Sequence, residues 1–314
     1  MMQKKYFAFY VFLFLLSFVL YACSGNNEKQ SANQTNENSK QEENLGYTKT
    51  NMDELKDKDD PFSNAVKQGY KLMNETHVLL DENVGNQLSC SSCHGNAGLD
   101  STSPFTGVTA VYPQYNARAG KVLTIEDRIN GCFKRSMNGT TLPYDSEEMR
   151  AMVSYLTYIS RDVPTRIEKR DWIEKNRIEN LPEPNVDDGQ ELYTKSCVAC
   201  HGKNGEGTGA NTGPALWGDN SFNIGAGMAR IGTMAGYIKR NMPPVEMGGI
   251  NKGDLTDQQA ADLAAFILSH ERPDFVEKAN DWPNGDRPDD VPYETKAKKV
   301  KEEVPQGPEG EKKK

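Results

Sequence analysis

Histidine is scarce in this chain, with four in 314 residues. Positive charge is also short: 37 Lys and Arg face 45 Asp and Glu, a net charge of −8. Nucleic acid is therefore excluded as a partner, because phosphate binding needs a basic face. Long apolar runs are lacking too. The stretch from Phe7 to Leu20 falls short of the roughly 20 residues a membrane-spanning helix requires.

That stretch follows Lys4-Lys5 and ends in Leu20-Tyr21-Ala22-Cys23, the charged region, apolar region and small residue of an export signal. Leu-x-Ala-Cys resembles a bacterial lipoprotein cleavage box. Residues 1–22 are then a signal peptide, and Cys23 the lipidated first residue of an exported chain held on the outer side of a bacterial membrane. Residues 23–60 are polar, with little to bury, and read as a disordered tether. Residues 294–314 read as a disordered tail.

Two of the four histidines close Cys-x-x-Cys-His runs: Cys90, Cys93 and His94, and Cys197, Cys200 and His201. This is the attachment pattern of c-type haem: two thioethers hold the porphyrin and the histidine ligates iron. Two such runs predict two covalently bound haems. They use four of six cysteines; with Cys23 assigned to lipid, Cys132 stands alone. A lone cysteine in an oxidising compartment points to pairing, reactivity or metal binding.

The order of parts repeats. Gly69 precedes Leu72-Met73 and Gly189 precedes Leu192-Tyr193, each glycine suggesting a close helix crossing ahead of a haem run. Each unit ends in an amphipathic helix, the first with Asp145 and Glu148 as cap, the second with a Thr256–Gln259 capping box. The order resembles the class I cytochrome c fold, twice: a mainly α chain with tandem domains at 61–164 and 186–272, a linker at 165–185, and a C-terminal strap at 273–293.

In the second unit, Gly213-Pro214-Ala215-Leu216-Trp217-Gly218 resembles the loop in which a proline carbonyl accepts from the ligating imidazole, here Pro214 for His201. Met228, Met234, Met242 and Met247 are candidates for the sixth ligand. Met242-Pro243 directly follows a helix-like segment and is preferred, with Met247 second. A thioether ligand favours Fe(II) and raises the potential, which suits an electron exit.

The first unit differs. Cys132 lies 13 residues before Asp145, as Met242 lies 14 before Thr256. Cys132 is thus the expected sixth ligand, with Met137 as the alternative. Lys134 and Arg135 adjoin Cys132 and favour the thiolate. Between Gln114 and Thr140, Arg118, Lys121, Arg128, Lys134 and Arg135 face only Glu126 and Asp127, a local charge of +3. Around a thiolate this reads as a site for a small anion.

The segments Tyr112–Arg118, Glu126–Gly139, Ser221–Arg230 and Asp281-Trp282-Pro283 resemble the dihaem thiosulfate dehydrogenase family, the likeness running from about residue 62 to Tyr293. The resemblance implies His94/Cys132 ligation at the first haem and His201/Met ligation at the second. It places catalysis on Cys132, with Arg118, Arg135 and Ser136 around the anion. It further implies an oxidoreductase coupling two thiosulfate ions to tetrathionate, or the reverse, that exchanges electrons with a small redox protein or a membrane acceptor. Asn241 stands where some members carry a lysine as rival ligand. A pure dihaem electron carrier is the competing reading. A dihaem peroxidase is disfavoured, since both units offer a sixth ligand.

Overall fold

The computed structural model of the chain describes residues 50–298. The export signal, Cys23, most of the tether and the tail from residue 299 lie outside the described residues. No described helix is long and apolar enough to cross a membrane.

The first domain is built on α1 (Pro61–Asn74), α2 (Ile125–Arg135) and α3 (Glu147–Tyr158), and the second on α4 (Val186–Ser196), α5 (Ile231–Asn241) and α6 (Asp257–Leu268). Their starts follow from local chemistry. Asp60 accepts from Ser63 N ahead of Pro61, a residue suited to the first turn. Thr124 and Asp127 form a capping box on α2, and Thr256 and Gln259 the expected one on α6. The cap of α3 is Ser146, not Asp145: the Ser146 hydroxyl accepts from Met149 N at 3.1 Å. A short antiparallel hairpin, β1 (Gln114–Asn116) with β2 (Lys121–Leu123), leads into α2.

The first and last helices of each domain cross at a glycine, as the repeat suggested. A Cβ on Gly69 would overlap the Ala151 carbonyl of α3, and one on Gly189 the Asp262 carbonyl of α6. A helical glycine costs about 1 kcal/mol against alanine, and the close packing it permits offsets this. Val66, Phe133, Met152 and Tyr155 fill the first core; Tyr193, Met234, Leu263 and Ala264 fill the second.

Two segments are more ordered than their composition suggests. Within the stretch read as tether, a 3-10 turn (Met52–Leu55) puts Leu55 into the first core at 2% exposure, so order begins before residue 60. Within the stretch read as tail, Lys296 N donates to Ala279 O at 2.7 Å and its Nζ to Asn280 at 2.8 Å. The strap lies on the domains through Trp282, Val291 and Tyr293, which cluster with Ala117 and Ile224.

Candidate active site

Each Cys-x-x-Cys-His run borders a largely apolar cavity. The first cavity, with about 1580 Å³ of empty space, is lined by Cys90, His94, Phe105, Cys132, Phe133 and Met137, among others. The second, about 850 Å³, is lined by Cys197, Cys200, His201, Met242, Met247 and Leu263, among others. His94 Nδ1 lies 2.7 Å from Ser103 O, and His201 Nδ1 lies 2.8 Å from Pro214 O, the partner expected for it. A carbonyl only accepts, so each Nδ1 carries the proton and each Nε2 is left to bind metal. Burial pushes His94 down to about 4 and lowers His201 as well, keeping both rings neutral, as ligation requires. The donor set, the ring tautomers and the apolar walls fit two haems.

The residues expected opposite the histidines share these cavities. Met242 and Met247 both line the second; Met242 follows directly on α5, whereas Met247 sits in a small turn bridged to Ile250. Cys132 and Met137 both line the first. Met137 is 2% exposed and belongs to the core cluster, while Cys132 is half-buried on the last turn of α2.

The strongest contact of Cys132 was not singled out from the sequence. Arg128, one helical turn earlier, points Nη1 at the Cys132 sulfur at 2.8 Å. The Cys132 charge raises the Arg128 pKa. The i, i+4 spacing on a helix was the available signal.

Arg128 also borders a third, more polar cavity of about 1560 Å³, lined with Arg118, Lys121, Lys134, Arg135, Ser136 and Arg230. The predicted cations therefore gather, but they divide. Arg135 makes a two-pronged bond to Asp281 at 2.7 and 2.8 Å, Lys134 pairs with Glu277, and Arg230 pairs with Asp290. Arg118 instead donates to Gly225 O at 3.0 Å and lies over the Trp282 ring, 4.9 Å from its centre. Burial lowers its pKa to about 10, so it stays charged at neutral pH. Ser136 shares the wall with Arg118 and Arg128. Arg118 and Arg128 are the better placed for an incoming anion, while much of the Arg135 charge is met by the strap.

Two histidine-bearing attachment turns on apolar cavities, in tandem domains, define a dihaem c-type cytochrome. A profile described as SoxA/TsdA, cytochrome c domain, matches residues 80–165, and one described as Cytochrome c matches residues 186–271. Thiosulfate dehydrogenase of Psychrobacter arcticus is 43% identical over 240 residues, which are 74% of this chain and 71% of that protein. The Allochromatium vinosum enzyme of the same name is 38% identical over 233 residues, 71% of this chain and 84% of its own. The solved thiosulfate dehydrogenase (TsdBA) from Marichromatium purpuratum superposes with a TM-score of 0.63 at 32% identity, over 68% of this chain and 47% of that one. The chain belongs to the thiosulfate dehydrogenase family of oxidoreductases.

Proposed function

We propose that the first domain joins two thiosulfate ions into tetrathionate, or splits tetrathionate in reverse, through a sulfur–sulfur bond on Cys132. The contact of Arg128 with the Cys132 sulfur carries this reading. It places on a lone cysteine of the haem cavity a cation that borders both that cavity and the cation-lined one. The thiolate is the form of a cysteine that reacts, and the guanidinium lies within reach of the charge it would carry.

Arg118, Arg128 and Ser136 receive the sulfonate oxygens of thiosulfate, and the arginines offset repulsion between two dianions. The Cys132 thiolate bonds to the outer sulfur of the first thiosulfate, and the pair gives up two electrons. A second thiosulfate attacks that outer sulfur, tetrathionate leaves, and the electron pair of the broken bond restores the thiolate. Bound at His94 and His201, the haems supply one-electron acceptors. Arg135 acts here as a strut between α2 and the strap through Asp281.

An assay of the purified holoprotein tests this directly. Thiosulfate with an artificial electron acceptor is expected to yield tetrathionate, and tetrathionate with a reduced donor to yield thiosulfate. No turnover in either direction leaves the competing reading, a dihaem electron carrier, which assigns no work to Cys132 or Arg128.

We also propose that the chain is exported, lipid-anchored through Cys23 on the extracytoplasmic side of a bacterial membrane, and exchanges electrons with a small redox protein or membrane acceptor. The support is the Leu20-Tyr21-Ala22-Cys23 box and the polar tether behind it. Cys23→Ser is expected to stop processing after Ala22 and to change partition into detergent. Unmodified Cys23 on a freely soluble mature wild-type chain would remove the anchor.

A further inference from the structure

The segment between the domains has the composition of a charged linker, yet Asn176 within it helps wall the first cavity. The Asn176 side-chain NH2 donates to Ser103 Oγ, and its side-chain oxygen accepts from Asn241 Nδ2 at 3.3 Å. Each neighbour adjoins a haem site. The Ser103 carbonyl is the acceptor for His94 Nδ1, at 2.7 Å. Asn241 is the last residue of α5, directly before Met242.

Ser103 has φ 49, in the left-handed region that non-glycine residues rarely adopt. Such a residue persists only where its surroundings hold it, and the bond from Asn176 does so. Asn241 is 3% exposed and also donates to Tyr237 O at 3.0 Å. The Tyr237 hydroxyl donates to Cys93 O at 3.2 Å. The path therefore closes on itself: His94, Ser103, Asn176, Asn241, Tyr237, Cys93, and back along the chain to His94. Ser92 and Cys93, from the first attachment turn, also wall the second cavity.

We propose that Asn176 is a positioning residue that couples the two haem sites, holding the hydrogen-bond acceptor of His94 in register with the residue that carries Met242. The inference rests on His94 and Met242 being axial ligands. A shift of Met242 moves Asn241, changes the hold of Asn176 on Ser103, and so alters the hydrogen bond that sets the basicity of His94. The coupling is reciprocal, as linkage requires. Its use lies in the chemistry proposed above: forming one sulfur–sulfur bond releases two electrons, and two one-electron sites serve that best when each senses the other.

The test is a redox titration of the holoprotein followed separately at each haem. In Asn176→Ala, both midpoints are expected to move. At a fixed applied potential, the oxidised-to-reduced ratio should change roughly two- to tenfold at each haem, the worth of one neutral hydrogen bond. Ser103→Ala keeps the carbonyl that His94 uses but cuts the bridge at Asn176, so it should move the first midpoint most and the second less, in the same test of reciprocity. An Asn176→Ala holoprotein with its second midpoint at the wild-type value overturns the proposal, even if its melting temperature falls, because a purely structural linker predicts that pattern. If that variant yields no holoprotein, Asn241→Ala decides: a shift at both haems supports the coupling, and one confined to the second overturns it. The ligand reading is checked apart, by loss of the thioether absorption band at the red edge in Met242→Leu. Persistence of that band removes Met242 as ligand, while a cross-domain shift in Asn176→Ala would still stand.

Discussion

The two domains place their sixth-ligand candidates at the same distance from the next helix and on different local structure. Cys132 and Met242 each stand 14 residues before the cap of the following helix, Ser146 in one case and Thr256 in the other. In the second domain Pro243 and Pro244 follow Met242. Proline cannot continue a helix and disfavours helical geometry in the residue before it, so α5 stops at Asn241 and Met242 is extended. No proline follows Cys132, and α2 runs on to Arg135. Cys132 therefore keeps a partner one turn back, Arg128, whereas the residue four before Met242 is Ile238. The same scaffold thus presents a thioether in an apolar wall in one half and a sulfur under a guanidinium in the other. The first arrangement suits passage of electrons, the second suits bond-making at sulfur.

The largest expected effect comes from erasing that difference. Cys132→Met gives the first domain the ligand type of the second; both haems should stay attached, since the thioether cysteines are untouched, and thiosulfate turnover should vanish. Near-normal turnover in this variant would remove Cys132 as nucleophile.

Arg128→Leu supplies the other half of the comparison, putting an aliphatic group where the second domain has Ile238. Loss of a charge-assisted contact costs about 1.5 to 3 kcal/mol, or roughly ten- to over a hundredfold in kcat/KM for thiosulfate. Reduction of the haems by a neutral artificial donor should be nearly unaffected, which separates the anion from the electron route.

Arg118 gives a graded series of somewhat smaller effects. Arg118→Lys keeps the charge and loses the planar fork, so it should weaken thiosulfate use, and Arg118→Gln should weaken it further. Arg118→Gln with wild-type kcat/KM and intact haems would take Arg118 out of the site.

The smallest effect on turnover is expected from the second domain. Met242→Leu should lower the potential of that haem, with a lesser shift at the other, and abolish its thioether band. Should Met247→Leu remove the band and Met242→Leu leave it, the ligand lies in the turn bridged to Ile250 instead.

Most of the architecture was legible in the sequence because it rests on local rules. The attachment turns, the crossing glycines Gly69 and Gly189, the Thr256–Gln259 box and the Pro214 acceptor all follow from residue type at fixed spacing. The site was legible only in part. Arg118, Arg135 and Ser136 do gather on one cavity, which Arg128 links to the haem cavity of Cys132, but charge counting along the chain cannot see Asp281, 146 residues away, binding Arg135. Arg128 was within reach through its helical spacing to Cys132. The role of Asn176 was not, because its partners Ser103 and Asn241 are 73 and 65 residues distant.

A single-turnover experiment tests the sulfur–sulfur bond on Cys132 most directly. The fully oxidised holoprotein is mixed with one equivalent of isotopically labelled thiosulfate and no outside acceptor, then quenched in acid. Haem absorbance counts the electrons, and mass spectrometry reads the peptide that contains Cys132. The prediction is two electrons on the haems and one labelled S2O3 group on Cys132. Two electrons on the haems with Cys132 unmodified would contradict it.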